Sequence, residues 1–191
     1  FMDDEGLEAV IENDVAICPT FTFLANLADF GSKVGVSPGM EGIFRGEIEQ
    51  TAKMIRKAYD AGVRLVSGSE SGFALTPYGH WHARELEIFV EVLDLSEVEA
   101  ITTATKNGAW TMRMEDSLGT LEEGKLADVI VVDGDVTSDI KILNDKSRLA
   151  EVISRGVRVD LNSPWPVHQS IPGWKVGNWA GEILTWEKAY Q

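Results

Sequence analysis

Helical and strand-like apolar spacings alternate along the first half of this chain. Leu7, Val10 and Ile11 fall at i, i+3 and i+4 within residues 3–14, behind an acidic first turn at Asp3-Asp4. That pattern predicts a short amphipathic helix. Val15-Ala-Ile-Cys-Pro19 is an apolar run stopped by proline, as a buried strand would be. From Thr20 to Gly42 the pattern is mixed: Phe21, Phe23, Leu24 and Leu27 fit a loop lining or a helix start, and residues 31–42 are turn-rich. Phe44, Ile48, Ala52, Ile55 and Tyr59 then share one face of a helix over about 41–61, with Gly62 placed to end it. Val63, Leu65 and Val66 favour a second buried strand, which stops in Ser67-Gly-Ser-Glu-Ser-Gly72.

The second half changes texture. Leu86, Phe89, Val90 and Leu93 predict an amphipathic helix over 81–93, and Ser96-Glu-Val-Glu99 has the form of a capping box. Asn107-Gly108 reads as a helical break, with helical spacing resuming from Ala109 to Met114. Strands alternating with helices suggest a parallel sheet or barrel with helices outside. Residues 119–133 then read as a short strand, a turn and a long apolar strand. Residues 151–161 read as a hairpin around Arg155-Gly156. The expected division is 1–116 for the α/β units, 117–161 for a small separate sheet and 162–191 for a Pro/Trp-rich tail. Trp165, Trp174, Trp179 and Trp186 lie in that tail, and burial against a surface or interface is their expected use.

Composition narrows the function classes. A hydrophobic content of 44% is ample for a core. A net charge of -14 argues against nucleic acid and against anionic membrane surfaces as partners. Cys18 is the sole cysteine, so no internal disulfide forms. No apolar run is long enough to span a bilayer, and a cytoplasmic location is the default expectation. The opening Phe1-Met2, running at once into a helix start, reads as a chain cut from something longer.

Glu70 is the first candidate for chemistry: a single carboxylate at the tip of a strand, among small residues that allow close backbone approach. In βα folds the carboxyl ends of strands are where chemistry collects. His80-Trp-His82 has the spacing that aims two imidazoles to one face of a strand. Here it opens a helix, where positions two apart diverge by about 200°. Tyr78, His80 and His82 are therefore candidates for facing substrate from the loop rather than for holding a metal. Cys18 reads as a small buried hydrophobe and His168 as a surface residue. Asp128, Asp133 and Asp135 flank a strand, where acidic turns are routine.

Three segments resemble the C-terminal part of the amidohydrolase superfamily, most closely its imidazolonepropionase-like and Xaa-Pro dipeptidase-like branches. They are Gly62-Val-Arg-Leu-Val-Ser-Gly-Ser-Glu-Ser-Gly72, the run from Ala104 to Met114, and Gly119-Thr-Leu-Glu-Glu-Gly-Lys-Leu-Ala-Asp128 with its apolar strand. The resemblance implies an α/β fold: the C-terminal portion of a (β/α)8 TIM barrel plus part of a small β-sandwich. It gives Gly124 to a tight turn and Leu126–Val132 to the sandwich filling. It also implies a divalent metal, zinc foremost, whose bound water attacks an amide-type carbon. Glu70 takes the place of the last-strand residue that binds the metal and shuttles the proton. That residue is usually aspartate; glutamate adds ~1.5 Å of reach.

The other family ligands, a His-x-His on the first strand and residues on the fourth to sixth, would lie upstream of this chain. The implied function is thus the C-terminal fragment of a metal-dependent amidohydrolase acting on a peptide-like or N-acyl substrate, inactive alone. Its expected partners are the N-terminal half of the same enzyme and further copies of itself. The alternative is a noncatalytic barrel-sandwich remnant serving as an assembly or partner-binding module.

Overall fold

The Asp3 carboxylate accepts the Gly6 amide at 2.9 Å and so starts α1 (Asp4–Glu12). This is a computed structural model of the chain, and it describes residues 2–162 and 182–190. Leu7 of α1 is buried, whereas Ile11, expected inward, is largely exposed. The two runs expected as strands meet only as a single parallel bridge, Ile17 against Leu65. The Ile17 amide donates to the Arg64 carbonyl and the Val66 amide to the Ile17 carbonyl, both at 2.9 Å. Pro19 has no amide to extend the ladder, and the backbone turns at Ser67–Gly72, so neither run lengthens.

The other edge of residues 63–66 is closed by side-chain and helix-end groups. Asn107 Nδ2 donates to the Leu65 carbonyl at 2.8 Å, and the Ser67 amide donates to the Thr103 carbonyl at 3.3 Å. These groups do for the strand what a neighbouring strand would. They come from α5 (Glu97–Ala104) and α6 (Lys106–Thr111). The break between these helices falls at Thr105, with φ -113° and ψ -87°, not at Asn107-Gly108. Asn107 is inside α6 because its side chain is anchored to the strand, which outweighs its weak helix propensity. α5 opens with the expected capping box: the Ser96 amide donates to Glu99 Oε2 at 2.8 Å and the Glu99 amide to Ser96 Oγ at 3.3 Å.

The mixed pattern after residue 20 folds as helix, α2 (Phe21–Phe30). α3 (Met40–Asp60) buries Phe44, Ile48, Ala52 and Ile55 as its spacing predicts, and Gly62 follows it in the left-handed region. The helix expected over 81–93 begins at Arg84 and forms α4 (Arg84–Leu93). These helices pack around Leu65, with Phe21 edge-on to Phe89 at 6.3 Å. A second cluster gathers Leu27, Val34, Phe44, Leu75, Trp81 and Leu184.

α4 is not one-sided. Arg84, Glu85 and Glu87 are buried with its apolar residues, and each finds partners. Glu85, 0% exposed, accepts the Phe21 amide at 2.9 Å, the Thr22 amide at 2.7 Å and the Thr22 hydroxyl at 2.5 Å. A carboxylate from α4 thus caps α2, where Thr20, at φ 55°, makes no cap of its own. Arg84 bridges Asp29 and Glu87. Glu87 also accepts Asn144 Nδ2 at 2.8 Å, within a 3-10 turn, Ile140–Asn144, that buries Ile140 in the main core.

That turn ties α4 to an antiparallel sheet of β1 (Val129–Val132), β2 (Leu149–Ser154) and β3 (Val157–Arg158), with β2 central. Ser154 pairs with Val157 across Arg155-Gly156, whose φ values of 49° and 79° make the expected two-residue turn. Asp128 accepts the Arg155 amide at 2.7 Å and holds that turn. Gly124 has φ +89°, as its tight turn requires. The long strand from Leu126 is cut to Val129–Val132, because the Leu126 amide donates to Ser117 at 2.7 Å instead of joining the ladder. Leu126, Ile130 and Val131 are exposed, whereas Val129 and Val132 are half-buried. Among the described residues no helix is long and apolar enough to cross a membrane.

Burial pushes the Glu85 carboxyl up to about 7, and the three bonds it accepts pull it only partly back. Its folded pKa lies above its ordinary value of 4.5, so the native state holds the extra proton between those pH values. Stability should therefore fall as pH rises from about 5 to 8, by up to about 3 kcal/mol. Urea midpoints should show that fall in the natural chain and lack it in E85Q. E85A should lower stability at every pH by roughly 1–3 kcal/mol, since two buried amides lose their acceptor. A midpoint that rises with pH would contradict this assignment.

Candidate functional site

Residues 63–66 deliver the chain to a tight turn, and Glu70 stands exposed at its tip with φ 49°. That is the left-handed region, disfavoured for a residue with a side chain, and the neighbours fix it. Thr76 Oγ1 donates to the Glu70 carbonyl at 2.7 Å, and the Gly72 amide donates to the Thr76 carbonyl at 2.9 Å. Ser69 Oγ lies 2.8 Å from Ser71 Oγ. His82 Nδ1 lies 2.9 Å from Ser69 Oγ and 3.2 Å from Ser71 Oγ, and its Nε2 accepts the Gly79 amide at 3.2 Å. Burial holds the His82 imidazole below its ordinary value and so favours the neutral ring.

The three loop residues singled out in the sequence part company. Tyr78 is 65% exposed and lays its hydroxyl beside Gly72, where a Cβ would come within 3.2 Å of it. His80 faces the C-terminal segment, its Nδ1 accepting the Trp186 amide at 3.4 Å. His82 bonds to the turn that carries Glu70. Phe73, 53% exposed, stands edge-on to Phe23 at 5.5 Å. Glu70, Phe73 and Tyr78 are all exposed in the segment that follows residues 63–66.

Cys18 departs from its expected burial: the residue is exposed. It closes the tip of the neighbouring run, and its sulfur leans on Gly68, where a Cβ would come within 2.5 Å. Desolvation of the sulfur against the neighbouring run, with the Glu85 carboxylate second, pushes the thiol up and away from the reactive thiolate. The parts that sequence reasoning passed over are Ser69, Ser71 and Thr76. The available signal was the Ser-Glu-Ser symmetry around Glu70. His168, Trp165, Trp174 and Trp179 lie outside the described residues.

The tail's described part is a strap. The Leu184 amide donates to the Ala74 carbonyl at 2.7 Å, and the Trp81 indole donates to the Leu184 carbonyl at 2.9 Å. Trp186, in α7 (Trp186–Tyr190), packs on Trp81 at 5.1 Å between ring centres. The loop 74–81, which leads from the Glu70 turn to α4, is thereby fixed from outside.

Among the described residues no three His, Cys, Asp or Glu side chains group as a metal cage. Glu70 offers one carboxylate, His80 Nδ1 accepts a backbone amide, and both nitrogens of His82 lie within bonding distance of protein groups. These residues do not by themselves fit a complete metal centre.

The sequence pattern of the amidohydrolase family matches residues 7–159. An imidazolonepropionase from Desulfotalea psychrophila is 31% identical over 67 residues, which are 35% of this chain and 16% of that protein. A Xaa-Pro dipeptidase with bound methionine superposes with a TM-score of 0.68 at 30% identity, over 84% of this chain and 38% of that one. A putative prolidase from Bifidobacterium longum gives a TM-score of 0.71 at 26% identity, over 82% of this chain and 39% of its own. With its helices following parallel-bridged segments and its carboxylate at their shared end, the chain belongs to the amidohydrolase family. It spans less than half of the length of these solved relatives.

Removing residues 183–191 should unseat the loop 74–81. Hydrogen exchange at the Leu75 and Thr76 amides and the Trp81 indole should then accelerate by at least about 10-fold, the lost bonds being worth roughly 1–2 kcal/mol. Unchanged exchange would show that the strap does not hold the loop.

Proposed function

We propose that this chain is the C-terminal part of a metal-dependent amidohydrolase that hydrolyses an amide-type C–N bond in a peptide-like or N-acyl substrate. Glu70 is its proton-transferring carboxylate. The observation that carries this reading is the exposed Glu70 at the end of the Ile17–Leu65 parallel pairing, in a chain of the amidohydrolase family. A Xaa-Pro dipeptidase and a prolidase complexed with N-methylphosphonate-L-proline are among the similar structures, which supports a peptide-like substrate.

The chemistry asked of Glu70 is balanced and local. As water oxygen bonds to the amide carbon, the carboxylate takes up the water proton. As the C–N bond breaks, that proton passes to the leaving nitrogen. Tyr78 and Phe73, both exposed in the same loop, are assigned to flank the substrate. Zinc is the ion of this reading, and Glu70 is the one donor assigned to this chain. The other donors are assigned to the length of the relatives that this chain does not cover.

The same reading assigns a partner. Ile130, Val157 and Val159 are exposed on one face of the small sheet, and an apolar surface of that kind suits contact with further protein. The N-terminal half of the enzyme is its first proposed occupant, and a second copy of the chain its next.

In the full-length protein, E70Q should lower hydrolysis of Xaa-Pro dipeptides and N-acyl amino acids by about 10²–10⁴-fold, the range for a lost general base or acid. Turnover unchanged by E70Q would overturn the catalytic reading. A full-length protein with neither bound metal nor hydrolysis would favour the noncatalytic module.

A further inference from the structure

We infer that His82 is the positioning residue that aims Glu70, through a bond to the two serines on either side of it. The inference rests on the reading of Glu70 as the reacting carboxylate. It assigns His82 neither to a metal nor to the substrate.

The hydrogen-bond inventory fixes the state of the ring. The Gly79 backbone amide can only donate, and it points at His82 Nε2 from 3.2 Å. That nitrogen must therefore carry the lone pair. A neutral imidazole with a bare Nε2 has its proton on Nδ1, so Nδ1 is the donor toward Ser69 Oγ at 2.9 Å and Ser71 Oγ at 3.2 Å. The serine hydroxyls, 2.8 Å apart, pass a hydrogen bond between themselves. One ring thus joins the Gly79 backbone, six residues short of Glu85, to both neighbours of Glu70.

This contact has a mechanical role because the turn is strained. A non-glycine residue at φ 49° persists only where its surroundings over-determine it. Thr76 holds the Glu70 carbonyl and accepts the Gly72 amide, but both bonds lie on the C-terminal side of Glu70 and leave the Ser69–Glu70 peptide plane free to rock. The Ser69 and Ser71 side chains remove that freedom, and the imidazole ties them to the segment that leads into α4. The result is a defined direction for the Glu70 Cα–Cβ bond, from which the carboxylate projects. A misplacement of about 1 Å at such a group costs on the order of 100-fold in rate. The same geometry excludes two other duties for His82. A ring whose Nε2 accepts a backbone amide has no lone pair left for a metal, and a ring whose Nδ1 proton faces the serines cannot remove a proton from them.

The experiment has two arms, so that the inference and the reading beneath it can fail separately. In the isolated chain, long-range ¹H–¹⁵N correlations of the imidazoles should show His82 with a protonated Nδ1 and a bare Nε2. The opposite tautomer would overturn the clamp whatever Glu70 does. In the full-length protein, H82A should lower kcat by about 10- to 100-fold while KM moves by less than about 3-fold. H82N retains a donor at the Nδ1 position and should recover most of that loss. The double variant S69A/S71A should match H82A without touching the ring, and it carries the test if H82A does not fold. A raised KM with kcat intact in H82A would overturn the inference in favour of substrate contact. So would equal losses in H82N and H82A. An E70Q protein of full activity would instead remove the reading of Glu70 and leave the tautomer result standing.

Discussion

A buried carboxylate closes the architecture at the end of the fold where Glu70 stands. Glu85 supplies the acceptor that the first amides of α2 lack, and it does so from another helix. Because α2 begins directly after the Cys18-Pro19 tip, this cap also fixes where that tip ends. The contacts then run in a circle. Cys18 leans on Gly68, Gly68 leads into the Ser69–Ser71 turn, the turn is bonded to His82, and His82 lies three residues before Glu85. A two-residue parallel bridge is too little to hold two strand tips in register. The polar circle around it supplies the missing constraint.

The same helix that carries Glu85 also organises the other side of the molecule. Arg84 and Glu87 are buried as a pair, and burying charge is tolerable only where partners replace water. Asp29 from α2 and Asn144 from the turn before β2 complete the set. α4 is thus the common wall of the helical layer and the sheet module. Its two polar faces serve different ends, one capping α2 toward Glu70, the other docking the sheet. The price is a helix with almost no solvent face, and a carboxyl group whose proton balance shifts toward neutrality.

Much of this was legible in the sequence, and what was not has a common physical cause. α3 followed its apolar spacing, the Arg155-Gly156 hairpin followed its turn chemistry, and the capping box at Ser96 formed as written. These depend on neighbours near in sequence. The failures depend on partners far away. The strands at 15–19 and 63–66 shrank to one bridge, because extension needs a partner's backbone and Asn107 occupies one edge instead. α4 looked amphipathic because Arg84, Glu85 and Glu87 read as solvent-facing, and no local rule announces that Asp29, Phe21 and Asn144 will meet them. Family resemblance located Glu70, yet the supports around it, Ser69, Ser71, Thr76 and His82, are visible only as distances.

The Glu85 cap holds the end of the fold that presents Glu70. Native-state hydrogen exchange of the Phe21 and Thr22 amides tests this most directly. If the cap does so, both amides are protected nearly as strongly as those of buried Leu86 and Phe89, and the amides of residues 69–72 lose protection together with them as denaturant is added. Fast exchange at Phe21 and Thr22 while the α4 core stays closed would contradict it.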